Sequence, residues 1–297
     1  MHRIMKLTIC TPTYNRADTL PRVFESLMNQ TLYDFEWIIV NDGSVDDTSA
    51  VVETFMQQDK FPVVFIEQEN YGKHVALNQG VKQAKGTLFL ILDSDDWLAN
   101  DCVEKICKIE ENLVDSSGYA GIAGVRVQSN GELIGNTFKG KKYIDCTSLE
   151  RGRYNIDGDK AEVFYTKILR KFPFPAFQGE KFLTESVVWY RIASAGYKIR
   201  WTNEPLYFCE YLPGGLTRTS GKGIQNFEGY KLAAKEELSY QEISILRKMK
   251  LIATCGGIAI IKKQKLAKVA KEINCPVCII FALGLLAFVY QKMTCRK

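Results

Sequence analysis

Asp93-Ser94-Asp95-Asp96 sets three carboxylates within four residues, directly after the apolar run Leu88-Phe89-Leu90-Ile91-Leu92. A run this apolar reads as a strand buried on both faces, as in parallel sheets. Ligands of open α/β sheets bind outside the carboxyl ends of such strands. Carboxylates crowded there repel one another and call for a compensating cation. Oxygen donors of this kind suit Mg²⁺ or Mn²⁺, which also bind the phosphates of a substrate. The same residues also fit a plain acidic turn, with Asp95 or Asp96 capping a helix after Trp97. Asp42 favours the first reading, because it leaves another apolar run, Phe35-Glu36-Trp37-Ile38-Ile39-Val40. A parallel fold would carry both groups to one sheet edge although about fifty residues separate them.

The elements that would position these groups are legible in the first hundred residues. Leu7–Cys10 reads as a first strand, and the Thr11–Arg16 loop leaves it. Leu20, Val23, Phe24, Leu27 and Met28 follow at helical spacing, with Asp18 as the expected N-cap. Asp46, Asp47 and Thr48 open a second helix, where negative charge suits the dipole. Val63–Ile66 is a third strand. A helix over Lys73–Ala84 carries Ala76, Leu77, Gly80, Val81 and Ala84 on one face. Strands alternating with helices predict an α/β fold with a parallel, doubly wound sheet. Farther along, Trp97–Asp115 reads as a helix, Ala120–Gln128 as a strand and Asn130–Asp159 as a hairpin with a loop. Ala161–Lys171 and Leu183–Ala195 read as helices, the second closed by Gly196, and Lys198–Phe208 as a strand pair.

At this point the chain resembles the family 2 glycosyltransferases of the GT-A fold. The matching pieces are Thr11-Pro12-Thr13-Tyr14-Asn15-Arg16, Asn41-Asp42-Gly43-Ser44 with Asp46-Asp47-Thr48, Asn70-Tyr71-Gly72-Lys73-His74 through Asn78-Gln79-Gly80, and Asp93-Ser94-Asp95-Asp96. Each piece is short, but their order, spacing and strand-end placement are specific together. The resemblance implies that Thr11, Pro12, Tyr14 and Arg16 line a nucleotide pocket, with Asp42 bonded to the base, most often uracil. It places Lys73 on the diphosphate, although a solvated lysine at a helix start reads the same way. Asp93 and Ser94 would lie beside the ribose, and Asp93 and Asp95 would hold Mn²⁺ or Mg²⁺. The ion would offset charge growing on the departing nucleoside diphosphate.

Sugar transfer to a hydroxyl also needs a general base. Members of this family commonly carry a Glu-Asp pair at a helix start, with Arg six residues later. Thr184-Glu185-Ser186-Val187-Val188-Trp189-Tyr190-Arg191 gives that pattern with Thr184 for the first acid and Glu185 for the second. Glu185 is therefore the expected catalytic base and Glu180 the reserve, although Glu185 could equally serve the helix dipole alone. By resemblance the reaction inverts the anomeric carbon. The Gly179–Glu185 and Tyr211–Thr217 segments look like bacterial enzymes that build capsular or other surface polysaccharides. Trp189, Trp201 and Tyr207 could stack on sugars or belong to the core. Two rivals stand beside a metal-dependent transferase acting on a nucleoside diphosphate sugar and a saccharide or lipid-linked acceptor. One is a catalytically silent nucleotide-sugar-binding partner subunit. The other, a nucleotidyltransferase, would need an early Gly-rich loop, and residues 7–16 contain no glycine.

Composition sets the outer bounds. The chain has 297 residues, 46% hydrophobic and 25% charged, enough for one large domain or two small ones. Nine cysteines are an odd number, which excludes a complete disulfide framework. Cys275 and Cys278 are the closest pair, but both histidines, His2 and His74, lie far away, so zinc is not expected. Residues 222–297 hold 14 Lys and Arg against 5 Asp and Glu, a net +9, which leaves −4 for residues 1–221. The expected division is a GT-A domain over 1–220 and a helical, basic and apolar region over 221–297. There Glu228–Lys250 reads as a charged helix and Leu251–Ile261 as an apolar stretch broken by Gly256-Gly257. A Lys-rich stretch precedes Pro276–Tyr290, which is uncharged for 15 residues. That is short of the ~20 residues that usually span a bilayer. An interfacial or re-entrant attachment to the inner face of the cytoplasmic membrane is expected, with a buried core helix and a spanning helix as alternatives. Met1–Lys6 lacks the long apolar core expected of a signal peptide, and no nucleic-acid partner is expected.

Overall fold

The computed structural model describes residues 5–113, 115–210 and 222–294. The chain divides into two compact units, Met1–Phe174 with Val188–Pro213 and Pro175–Val187 with Gly214–Lys297.

In the first unit β1 (Leu7–Thr13), α1 (Leu20–Met28), β2 (Phe35–Asp42), α2 (Thr48–Phe55), β3 (Val63–Gln68), α3 (Lys73–Gln83) and β4 (Leu88–Ile91) alternate along the chain. The four strands lie in the order β3-β2-β1-β4, and every neighbouring pair is parallel. Strands β1, β2 and β4 are buried at every position, and β4 is apolar throughout. The register pairs Thr13 with Asn41 and Cys10 with Ile91. The carboxyl ends of β2 and β4, and so Asp42 and the aspartates after Leu92, emerge on one edge.

Beyond β4 the sheet is mixed, and several expectations change. Trp97-Leu98 is a short strand, β5, and only Cys102–Glu111 is the helix α4. Trp97 pairs with Phe208 and stacks on its ring at 5.9 Å, so strand pairing overrides the helical pattern there. Strand β6 (Tyr119–Gln128) is followed by β7 (Tyr143–Cys146) and a 3-10 turn at Arg151–Tyr154. The expected helix over Ala161–Lys171 is mostly strand β8 (Lys160–Tyr165), with one helical turn, α5 (Thr166–Leu169). Strand β8 runs antiparallel between β4 and β6 and is buried at every position except the half-buried Glu162. After α6 (Ser186–Ser194), a single long strand, β9 (Lys198–Cys209), replaces the expected strand pair and joins β6 in parallel with register shifts. Gly196 does end α6 with a left-handed φ of 87°. Asp18 is not the cap of α1. Thr19 takes that position, and its hydroxyl donates to the Ser94 carbonyl at 2.6 Å.

The second unit is helical: α7 (Lys222–Gln225), α8 (Phe227–Ser239), α9 (Ile245–Ile261), α10 (Leu266–Glu272) and α11 (Val277–Thr294). The expected long charged helix is interrupted, and Ser244 caps α9 by accepting the Arg247 amide N–H. Gly256-Gly257 does not break α9. A side chain at Gly256 would strike Gly284 and the Ile280 carbonyl, so these glycines let α9 and α11 approach closely.

Backbone proximity also holds β6 against β8. A Cβ at Gly121 would fall on the Val163 carbonyl oxygen, whereas one at Gly118 meets nothing within 4 Å. Gly121→Ala should therefore lower unfolding stability by about 1–3 kcal/mol, the usual cost of overpacking. Gly118→Ala should leave it unchanged in the same denaturant titration. Equal stability for the two variants would contradict this account of the β6–β8 contact.

Candidate active site

Asp93 is the hub of the edge beyond β4. Lys73, the first residue of α3, places its Nζ 2.5 Å from Asp93 Oδ1, and Arg126 of β6 sets Nη1 3.7 Å from Oδ2. Burial raises the Asp93 carboxyl, but Lys73 and Arg126 more than offset this and hold it below the ordinary range. Asp95 lies beside it and forms an ion pair with Arg16 at 3.7 Å. Its carboxyl is pushed up by burial and by the charge on Asp93, against the pull of Arg16. Asp96 is raised further, to about 7, again by burial first and then by Asp93. Three acids and three cations thus share one electrostatic balance, with Asp93 and Asp95 half-buried and Asp96 buried.

The remaining anchors are backbone and ring. Tyr207 of β9 is fully buried, its hydroxyl accepting the Asp93 N–H at 2.9 Å and donating to Asp96 Oδ2 at 2.8 Å. The Arg126 guanidinium lies over the Tyr207 ring at 4.2 Å, and its Nε donates to the Lys160 carbonyl. Arg22 donates to the Asp95 carbonyl and packs over Trp97 at 4.4 Å. These contacts fix the 93–96 turn before any ligand arrives.

Asp42 acts on the loop that carries Lys73. Its Oδ1 accepts from Gln68 Nε2 at 2.7 Å and from the Tyr71 N–H at 2.9 Å, and its Oδ2 accepts from the Gly72 N–H at 2.8 Å. Gly72 has φ 96°, a conformation that favours glycine. A carboxylate has about four lone-pair sites, so three bound donors leave room for roughly one more. Asp42 therefore sets the turn that delivers Lys73 to Asp93, and the two acidic groups are coupled through Tyr71-Gly72-Lys73.

The other expected site residues are placed unevenly. Thr11 and Pro12 are buried within β1, and the Thr11 hydroxyl accepts the Trp37 indole N–H at 2.9 Å. Tyr14 is exposed. Asn15, at φ 51°, bends the loop, accepting the Val45 N–H and donating its own N–H to Ser44. Arg16 follows from that bend. Ser94 is buried, and its carbonyl holds Thr19. Trp189, Trp201 and Tyr207 are core residues, so none is an open sugar platform. Glu185 belongs to the second unit and directly precedes α6. Glu180, in the same unit, is committed elsewhere. Its carboxylate accepts the N–H groups of Glu228 and Gly229 at 2.7 and 2.8 Å and so caps α8. Arg126 is not singled out by the sequence, and Tyr207 is offered there only as a sugar platform or core ring, not as the anchor of the 93–96 turn. The signal for Arg126 was a charge inside the apolar strand Ala123-Gly124-Val125-Arg126-Val127, which needs a buried partner.

Among the described residues, no three His, Cys, Asp or Glu side chains gather at metal-binding spacing. Mg²⁺ and Mn²⁺ do not require three. Such ions usually keep waters and bind through one or two carboxylates plus substrate phosphates. The half-buried carboxylates of Asp93 and Asp95, two residues apart, fit that donor set.

A family model described as "Glycosyl transferase family 2" matches residues 8–170, more than half of the chain. The chain belongs to this family. The matched span of the family 2 chain holds Arg16, Asp42, Lys73, Asp93, Asp95 and Arg126. One relative is the GalNAc(5)-diNAcBac-PP-undecaprenol beta-1,3-glucosyltransferase of Campylobacter jejuni, 27% identical over 190 residues, which are 62% of this chain and 58% of that protein. Matches to other curated relatives span between 14% and 68% of their lengths. Residues 1–349 of S. aureus TarS in complex with UDP-GlcNAc superpose with a TM-score of 0.64 at 20% identity, over 86% of this chain and 73% of that one. The mannosyltransferase PcManGT of Pyrobaculum calidifontis, in complex with GDP-Man and Mn²⁺, gives 0.50 at 20% identity, over 95% and 72%. At these identities the likeness is one of fold, a mostly parallel sheet of the GT-A kind flanked by helices.

His74 supplies a pH test of the α3 start. It is 2% exposed, its Nδ1 is unpartnered, and burial lowers its pKa below the ordinary value, with Asp42 pulling the other way. A histidine whose folded pKa is depressed contributes stability above its unfolded value, and that contribution is lost as pH falls. Denaturant stability of the family 2 chain should thus decline as pH drops below about 6.5, and His74→Gln should flatten the decline. An unchanged slope in the variant would contradict the assignment.

Proposed function

We propose that the chain transfers a sugar, with inversion, from a nucleoside diphosphate onto a hydroxyl of a saccharide or lipid-linked acceptor during surface-polysaccharide synthesis. Uridine diphosphate is the proposed leaving group, Mn²⁺ or Mg²⁺ the cofactor, and a cytoplasmic membrane face the setting. The observation that carries this reading is the Asp93–Asp95 cluster, held by Lys73, Arg126 and Arg16 at the carboxyl end of β4. The bound nucleotide sugars of the two superposed structures support the donor class, and the undecaprenol-linked substrate named for the Campylobacter relative supports the acceptor class.

In this reading Asp42 uses its remaining lone pair on a base N–H while still fixing the Tyr71-Gly72 turn. Lys73 exchanges Asp93 for diphosphate oxygens, a charge-assisted bond of the same kind. Arg16 turns from Asp95 in the same way, and Arg126 stays on the Tyr207 ring to hold Asp93 in place. A divalent ion at Asp93 and Asp95 would offset the negative charge that grows on the leaving diphosphate. Glu185 takes the acceptor proton as the hydroxyl oxygen forms its bond to the anomeric carbon, and the bond to the diphosphate breaks on the opposite face. One displacement inverts that centre.

Release of UDP from a panel of UDP-sugars with Mn²⁺ tests the reading. Glu185→Gln should lower turnover by about 10²–10⁴-fold, while UDP affinity by calorimetry stays unchanged. Asp95→Asn should remove the metal-dependent part of UDP binding. Full turnover by Glu185→Gln would exclude it as the base. Silence of the wild type across donors and acceptors would favour the nucleotide-sugar-binding partner subunit.

A further inference from the structure

Among the described residues, helix α11 has an exposed apolar side. Ile280 and Gly284 are buried, with Gly284 against Gly256 of α9. Away from them, Val277, Ile279, Phe281, Leu285 and Leu286 are exposed, Phe281 by 58% and Leu286 by 67%. A contiguous exposed apolar face of this kind marks an interaction site. No acidic or basic residue interrupts the helix from Val277 to Tyr290.

The segment that leads into α11 is basic. Lys262, Lys263, Lys265, Lys268 and Lys271 are all exposed within ten residues. The one acid among them, Glu272, is engaged by the buried Lys231 at 2.5 Å and lies 3.7 Å from Lys268. A second copy of the chain meeting this face would bring two lysine rows of the same sign together. Anionic lipid headgroups would neutralise them, and the apolar side chains beside them would enter the acyl boundary. No single helix among the described residues is long and apolar enough to cross a membrane, and α10 and α11 pass that test only as a pair bent by 114°.

We propose that α11 lies in the plane of an anionic bilayer surface, with Ile279, Phe281, Leu285 and Leu286 submerged and the α10 lysines on the headgroups. This specifies the membrane-face part of the proposed function and rests on it. The close Gly256–Gly284 approach backs α11 with α9, so the helix presents one side and does not turn over.

Vesicle flotation of the full chain tests this, with phosphatidylcholine alone or mixed with phosphatidylglycerol and UDP binding measured in parallel. The wild type should float with the mixed vesicles, weakly with phosphatidylcholine alone, and less as salt rises. Lys265→Gln, Lys268→Gln and Lys271→Gln should each lower partitioning roughly fivefold. Phe281→Ser with Leu286→Ser should lower it by about a hundredfold or more. Both substituted sites are exposed, so melting temperature and UDP affinity should hold, which separates lost docking from lost folding. Wild-type flotation by the apolar variant, equal binding to both vesicle types, resistance of the bound protein to alkaline extraction, or a dimer abolished by Phe281→Ser would each overturn the proposal. Flotation without UDP binding would count against the transferase site while leaving this surface supported.

Discussion

Three carboxylates at the end of one buried strand cannot all ionise without cations close by. That constraint organises the first unit. Asp93 stays charged because Lys73 and Arg126 reach it from α3 and β6, while burial, and then the charge on Asp93, raises Asp95 and Asp96. Each cation has its own support. Asp42 fixes the turn before Lys73, Tyr207 lies beneath Arg126, and the Asn15 bend delivers Arg16. The fold converts strand order into a charge pattern that a diphosphate and a divalent ion would complete.

The sequence showed the acidic groups and the sheet edge more clearly than the groups that balance them. β4 and the Trp37–Val40 stretch of β2 announced themselves because strands buried on both faces read as apolar runs. Helix α3 was legible from Ala76, Leu77, Gly80 and Val81. The second half misled where tertiary pairing overrode local pattern. Trp97-Leu98 joined β9 instead of starting a helix, and Lys160–Tyr165 became a strand between two others. Neither partner is nearby in sequence, so no window centred on these residues carries the information.

The candidate site shows the same division. Asp42, Lys73, Asp93 and Asp95 came from strand-end position and motif. Tyr207 is about 110 residues away from the turn it holds, and in isolation it reads as a core aromatic. Arg126 left a trace, a charge inside a buried strand, but its partner could not be named without the sheet order. Glu180 illustrates the opposite error: an acid near a promising motif is spent capping α8. Gly256-Gly257, which looks like a helix break, is a close-packing surface, because glycine's small size and its weak helix propensity leave the same mark in a sequence.

The central claim is that Asp93 and Asp95 hold a divalent ion together with a diphosphate. Titrating Mn²⁺ by electron paramagnetic resonance, with and without UDP, tests it most directly. The account predicts weak retention of Mn²⁺ by the protein alone, much tighter retention with UDP present, and loss of that gain in Asp93→Asn. Mn²⁺ binding that ignores UDP, or a UDP-dependent gain that survives in Asp93→Asn, would contradict it.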